Sequence, residues 1–250
     1  MKKCFPFVFV LLLACGASED AARIRAEVHT PLTKSQRLET DLGYEVELVE
    51  ARVVAQAIHF LVPERMSSRM KRILFPRAWA HPGHHHGGEI AGELVGPLLI
   101  DWIPGGRELG HATLLPGSYA GAAYSFTPGA GKVQEEPLFS HVAFLQGVAK
   151  KEEQSQAFVV RIRTPPRPEV DGIPFQAGIV EGERPRLELR LVLRHDGESL
   201  FDGVDFLALG GGNDMLLLSS EAESEAAREA FERISDALFD HRFHEVRASR

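Results

Sequence analysis

The run RLELRLVLRHD, from Arg186 to Asp196, constrains the fold more than any other stretch. Leu187, Leu189, Leu191 and Leu193 fall on alternate positions, with Arg186, Glu188, Arg190 and Arg194 on the opposite parity. A period of two is the period of a β-strand with one buried and one solvated face, and no helix satisfies it. Shorter versions of the same pattern recur. YEVEL puts Tyr44, Val46 and Leu48 on one side, and ARVVAQAIHFLV continues it with β-branched residues and a less regular alternation up to Pro63. EIAGELVG, LLIDWI, GHATLLPGSYAGAAYSF, SHVAFLQGVAKK, SQAFVVRIRT and IPFQAGIV supply further strands, separated by Pro and Gly turns rather than by helices. Many short strands joined this way predict a mainly-β chain, an antiparallel β-sandwich of the general transthyretin or immunoglobulin type. There is no internal repeat, and residues 41–250 are expected to form one domain.

One segment breaks the pattern. SSEAESEAAREAFERISDALFDHRFHEV offers Ser219 or Ser220 as an N-cap, acids in the first turn, and a stripe through Ala227, Ala230, Phe231, Ile234, Ala237 and Leu238 at helical spacing. It predicts one amphipathic helix over about 221–240, packed on the sheet. A second, shorter helix is expected over Met66–Phe75, before Pro76, Pro82 and several glycines interrupt the chain.

The N-terminus reads MKKCFPFVFVLLLACGASED. Lys2 and Lys3 precede an apolar run of signal-peptide length that is too short to span a bilayer as a helix. Leu12-Leu13-Ala14-Cys15 then resembles the lipobox of bacterial lipoproteins. The resemblance implies removal of residues 1–14 and a lipid on Cys15. Gly16 rather than Asp at the second mature position points to the outer membrane of the cell envelope. Residues 15–40 are polar and without period, and are expected to be the lipidated N-terminus and a flexible tether. The LLPGSY turn in turn resembles the L-x-P-G-x-Y turn of transthyretin-like sandwich domains. The body as a whole looks like uncharacterised envelope lipoproteins that pair a β-sandwich with a His-rich loop, a resemblance that implies no particular activity.

Cys4 and Cys15 are the only cysteines. With one cleaved away and the other lipidated, the folded part would have no disulfide and no thiolate, and any bound metal would be held by nitrogen and oxygen. Loss of Lys2 and Lys3 takes the net charge from −7 to −9. An acidic chain without a basic stretch is unsuited to nucleic acid. No second apolar run is of membrane length, so the lipid would be the membrane contact.

The chemistry is concentrated in AHPGHHHGGEIAGELVG, where His81, His84, His85 and His86 fall within six positions and Glu89 and Glu93 follow. Neutral imidazole is a good ligand for Zn, Cu and Ni, and a carboxylate can complete such a site. Pro82 and Gly83 permit a bend that returns His81 toward the other three. Adjacent histidines on extended backbone point to opposite sides, so three ligands, or two from here and one or two from elsewhere, is the expected set. Read as a regular strand, the following segment places Glu89, Ala91, Glu93 and Val95 on one face, with Glu89 nearest the loop. His111 is the first choice for a remote ligand. His59 reads as a packed or edge residue, His141 as the opening of a strand, His195 as the charged end of one, His241 and His244 as a frayed terminus in preference to a second ligand set, and His29 as part of the tether. The alternatives to a specific site are a solvated loop that takes up metal loosely and a pH-sensitive surface loop.

Three functions follow from these features, in this order. The first is a lipid-anchored envelope protein that binds a divalent transition metal, Zn or Cu foremost, for buffering or for hand-over to an envelope protein or metal transporter. The second is a non-enzymatic module that docks a protein or glycan partner through an apolar patch around Trp79 and Trp102. The third is a metal-dependent hydrolase with Glu89 or Asp101 as its acid. The common catalytic patterns are absent: GSYAG is not G-x-S-x-G, HRFHEV lacks the spacing of H-E-x-x-H, and neither an EF-hand loop nor a P-loop is present.

Overall fold

A computed structural model describes residues 23–63, 88–126, 138, 140–210 and 214–249. Cys15, the Met66–Phe75 segment and the four clustered histidines lie outside these residues. The chain is mainly β, with two α-helices among the described residues. No helix among them is long and apolar enough to cross a membrane.

The trunk of the structure is β3 (Glu45–Val62), 18 residues long. One of its edges pairs with β8 (Ala143–Lys151) along residues 45–53 and with β7 (Gly121–Ser125) along residues 57–61. The other edge pairs with β2 (Gln36–Glu39) and then with β4 (Glu89–Ile103). The sheet therefore forks at β3. One branch continues from β8 to β9 (Gln154–Ile162) and β15 (Leu216–Leu218). The other runs from β4 through β5 (Glu108–Leu114), β1 (Ile24–His29) and β12 (Arg186–Leu191) to β16 (His244–Ser249), with β10 (Glu169–Ile173) added outside β7.

The β3–β4 register shifts at three places, and the β3–β8 register at one more. Each shift adds a residue to one strand and sharpens its bend and twist. These bends wrap the sheet around its own inner face into a sandwich. Its last strand, β16, returns toward β10, where the Val246 N–H donates to the Pro174 carbonyl at 3.0 Å. The bulges also account for the irregular alternation of the sequence between Ala51 and Val62.

The inner face holds the core. Tyr44, Val46 and Leu48 are buried, and Leu187, Leu189, Leu191 and Leu193 are between 0 and 6 % exposed, as their alternation requires. A smaller cluster of Val54, Leu99, Leu138, Phe144 and Val159 is packed separately. The LLPGSY turn leads into β6 (Gly117–Tyr119), which pairs with β11 (Ala177–Ile179). The Tyr119 hydroxyl accepts the Leu115 N–H at 3.0 Å and lies 2.8 and 2.9 Å from the carbonyl oxygens of Leu115 and Ala91. One side chain thus closes the turn and ties it to β4.

Three expectations need correction. The fold starts by Ile24, not after Thr40: β1 lies inside the sheet, with Ala26 and Val28 fully buried, and β2 is also paired. The short apolar alternation in IRAEVH is too brief to stand out beside its charged neighbours. The sheet is mixed, because β1 runs parallel to β12 and β15 parallel to β9. Alternation reports which face of a strand is buried, not its direction, and both pairs join strands remote in sequence, as parallel pairing demands. A short helix, α1 (Phe206–Gly210), precedes β15.

The long helix, α2, spans Glu225–Leu238 rather than 221–240, and its N-cap is Ser224, whose side chain accepts the Ala227 N–H at 3.0 Å. Ser219 instead serves a preceding turn, accepting from Ala222 through its carbonyl. Ala227, Ala230, Phe231, Ile234 and Leu238 face the core, as the stripe predicts. The backbone then passes through a 3-10 turn (His241–Phe243) into β16.

Two substitutions separate core from cap. Leu189→Ala, at a fully buried site, is expected to lower the unfolding free energy by about 2–5 kcal/mol, and Ser224→Ala by about 1 kcal/mol. Urea unfolding followed by circular dichroism measures both; equal effects would contradict this account of the core.

Candidate functional site

Val62 and Glu89 face each other at the open end of the β3–β4 hairpin. The connection that carries His81, His84, His85 and His86 therefore leaves and re-enters the sandwich at a single point. Gly88 makes the return possible. Its φ is +144°, and a Cβ placed there would stand 2.0 Å from the Val62 carbonyl oxygen, so only glycine brings the chain back this close. His86 lies three residues before Glu89, which limits their Cα separation to about 10 Å. Glu89 itself is exposed at this end.

Near that end the β4 register slips between Phe60 and Leu61: Phe60 faces Gly92, whereas Leu61 faces Ile90, leaving Ala91 as the extra residue. The slip overturns the expected shared face of Glu89, Ala91, Glu93 and Val95. Ala91 and Leu94 both turn into the core, Glu93 lies opposite His59 on the outer face, and Glu89 lies opposite Val62 on the other parity. A bulge of this kind leaves no mark in a single sequence.

The outer face below the hairpin end holds a group that sequence reasoning missed. His59 places Nε2 at 3.4 Å from Glu93 Oε1 and Nδ1 at 3.7 Å from Glu169 Oε1. The three residues come from β3, β4 and β10, and only the fold brings Glu169 to the other two. His59 was expected in a packed or edge position; it is partly buried at this polar junction instead. Among the described residues, no group of three or more His, Cys, Asp or Glu side chains has the arrangement to hold a metal ion.

His111 sits elsewhere. It pairs with Glu27 across the β1–β5 ladder, and its Nδ1 is 3.2 Å from Arg25. Since Thr113 faces Glu93, His111 falls level with Val95 on β4, about 20 Å along the strand from Glu89. The described structure does not bring Glu89 and His111 together.

Asp101 is no closer to the hairpin end. Twelve residues separate it from Glu89 on β4, about 40 Å along an extended strand, so the two alternative acids of the hydrolase reading belong to different parts of the molecule. Burial raises the Asp101 carboxyl above the usual aspartate range, while Arg52, whose Nε lies 3.3 Å away, pulls it down. Trp102 is only 2 % exposed, so it anchors no apolar surface patch of the kind a docking module was expected to show; Trp79 lies outside the described residues.

His244 is the clearest departure from the sequence reading. Instead of lying on a frayed terminus, it opens β16 at 2 % exposure, between the rings of Trp102 and Tyr124, each 5.3 Å away. Its Nε2–H donates to the Leu238 carbonyl at 2.7 Å, which leaves Nδ1 as the unprotonated nitrogen. The alternation of His244 and Val246 with Glu245 and Arg247 was the available signal. Burial pushes its pKa down to about 4. No family model matches the chain, and neither a curated protein nor a solved structure is similar to it.

The depressed pKa of His244 fixes the sign of a pH effect. Between its ordinary value near 6.5 and about 4, the unfolded chain binds a proton that the native state refuses, so stability falls as pH falls through that window. A shift of this size corresponds to about 3 kcal/mol. In His244→Phe that component is expected to vanish, leaving only the carboxylate contributions. Unfolding free energies of both proteins at pH 7 and pH 4 test it; identical pH slopes would refute the assignment.

Proposed function

We propose that the chain is a lipid-anchored cell-envelope protein that binds a divalent transition metal, Zn or Cu foremost, through His81 and His84–His86 with Glu89 beside them. Its role would be buffering or hand-over to an envelope partner. The observation that supports this reading is the hairpin itself. A paired stem ending at Val62 and Glu89 and closed by Gly88 tethers four imidazoles to one end of a rigid strand pair. A stem reduces the chain entropy lost when several ligands gather on one ion. His59, Glu93 and Glu169 lie three to four residues below that end and add carboxylate charge near it. His111, on β5 and level with Val95 of β4, takes no part in the proposed ligand set.

Calorimetric titration with Zn²⁺, Cu²⁺ and Ni²⁺ of the chain from Gly16 onward, which contains every described element, tests the metal reading. One ion per chain, with affinity reduced at least about tenfold in His84→Ala/His86→Ala, is the expected result. Weak binding of several ions, or binding that ignores the substitutions, would remove metal handling as the function. The anchor is tested separately. Cys15→Ser is expected to abolish incorporation of radiolabelled fatty acid and shift the protein from the membrane to the soluble envelope fraction; unchanged labelling would exclude Cys15 as the lipid-bearing residue.

A further inference from the structure

At the other end of β4 the sandwich carries a cleft of about 880 Å³. One wall is the Pro31–Thr33 segment with β2. The other is the end of β12 with the residues that follow it, joined by Glu245 and Arg247 of β16. Trp102, the penultimate residue of β4, lines it from the core side. We propose that this cleft binds an oxyanion, the shared chemistry of phosphate and carboxylate ligands, with Arg194, Arg190 and Trp102 as its recognising groups.

The charge of the lining is the first support. Arg37, Arg190, Arg194 and Arg247 line the cleft against two carboxylates, Glu39 and Glu245, in a chain whose overall charge is −7. Three of these guanidinium groups are already engaged. Arg37 reaches Glu45 at 3.6 Å and Glu47 at 3.0 Å, Arg247 holds Glu245 at 2.8 Å, and Arg190 holds Glu188 at 2.5 Å through one terminal nitrogen. Arg194 has no ion pair within 4 Å among the described residues and acts on Asp202 only through space. It is exposed, and it differs from the other three arginines of the cleft in having no ion pair among the described residues.

The donors are the second support. Two buried N–H groups on lining residues have no partner among the described residues: Nε1 of Trp102 and Nε of Arg190. Neither atom can accept, so each is satisfied only by a lone pair brought from outside. Buried donors left unmade are costly, and native structures retain few of them. Two on the lining of one cleft, which Arg194 also lines, point to a missing component that is rich in acceptors and negatively charged. Phosphate and carboxylate oxygens meet both requirements, and guanidinium binds either in a forked geometry. A cleft of this volume has room for a small molecule that carries such a group.

Trp102 provides the readout. The other tryptophan is Trp79, so Trp79→Phe in the full-length, detergent-solubilised chain leaves Trp102 as the sole indole emitter. This protein would be titrated with inorganic phosphate and, separately, with citrate, at about 0.15 M chloride so that loose ion attraction is screened. Saturable change in Trp102 emission with one of the probes is the expected result, and the probe that saturates distinguishes a phosphate site from a carboxylate site. Arg194→Gln, at an exposed position that folding does not depend on, is expected to weaken that binding about tenfold. Arg190→Gln should weaken it similarly by calorimetry, provided its thermal unfolding matches the parent. Absence of saturation by both probes, or saturation unchanged in Arg194→Gln, would overturn the proposal and assign the two donors to solvent.

Discussion

Everything in this structure is hung on the pairing of β3 with four other strands. A strand with neighbours on both edges normally has one on each side; β3 has two on each, in succession, because it is long enough to outlast β2 and β8 before β4 and β7 complete their pairing. The fork commits its two halves to different parts of the molecule. Residues 45–53 pair with β8 on the branch that ends at β15, and residues 51–62 pair with β4 on the branch that curls round to β16. The backbone can serve both only if it bends between them, and the register shifts near Ala51 and Ala55 are where it does so. The bulges are thus part of the architecture, not imperfections in a regular ladder.

How legible this was in the sequence depends on the distance over which each feature is decided. The leucine face of β12 and the apolar stripe of α2 are local. Each needs only its own residues to show a period, and both lie where the pattern places them. β1 was read as tether because six residues between charged neighbours give too short a period, and its burial is conferred by β5 and β12, from elsewhere in the chain. The faces of Glu89 and Glu93 were misjudged through a single extra residue in β4, which inverts the parity of everything beyond it. His244 was misread for a related reason. Charged residues stand close to it in sequence at Arg242, Glu245 and Arg247, and only the arrival of Trp102 and Tyr124 from β4 and β7 turns that position into core. Meanwhile the junction of His59, Glu93 and Glu169 depends on three strands and has no sequence signature.

The core around His244 shows how the sandwich tolerates polar groups inside. Its one demanding hydrogen bond, Nε2–H to the Leu238 carbonyl, caps the C-terminal end of α2 and joins the helix to the first residue of β16. The imidazole therefore links the helix to the sheet across the 3-10 turn, and does so as a neutral ring, because its surroundings favour the uncharged form. An aromatic hydrocarbon would fill the same space between Trp102 and Tyr124 but leave the Leu238 carbonyl without that donor. The histidine is a connection between layers, distinct in role from the imidazoles proposed to bind metal.

The two proposed binding regions stand at opposite ends of β4 and have opposite electrostatic character. Glu89, Glu93 and Glu169 give the hairpin end a negative bias suited to a divalent cation, whereas Arg194 and the unpaired donors give the cleft a positive one. Thirteen residues separate Glu89 from Trp102, about 40 Å along the strand, which is several screening lengths at physiological salt. A charge bound at one end is therefore nearly invisible to the other through solvent. Any coupling between them has to be mechanical, carried by β4, and the three register shifts against β3 are the places along that strand where its pairing is already irregular. In a regular ladder a shift of one residue would bury charges and expose the core along the whole strand; at an existing bulge the irregularity need only move. Independence of the two ends is thus the electrostatic default of this fold, and a measured linkage between cation and oxyanion binding would locate its cause in the β3–β4 register.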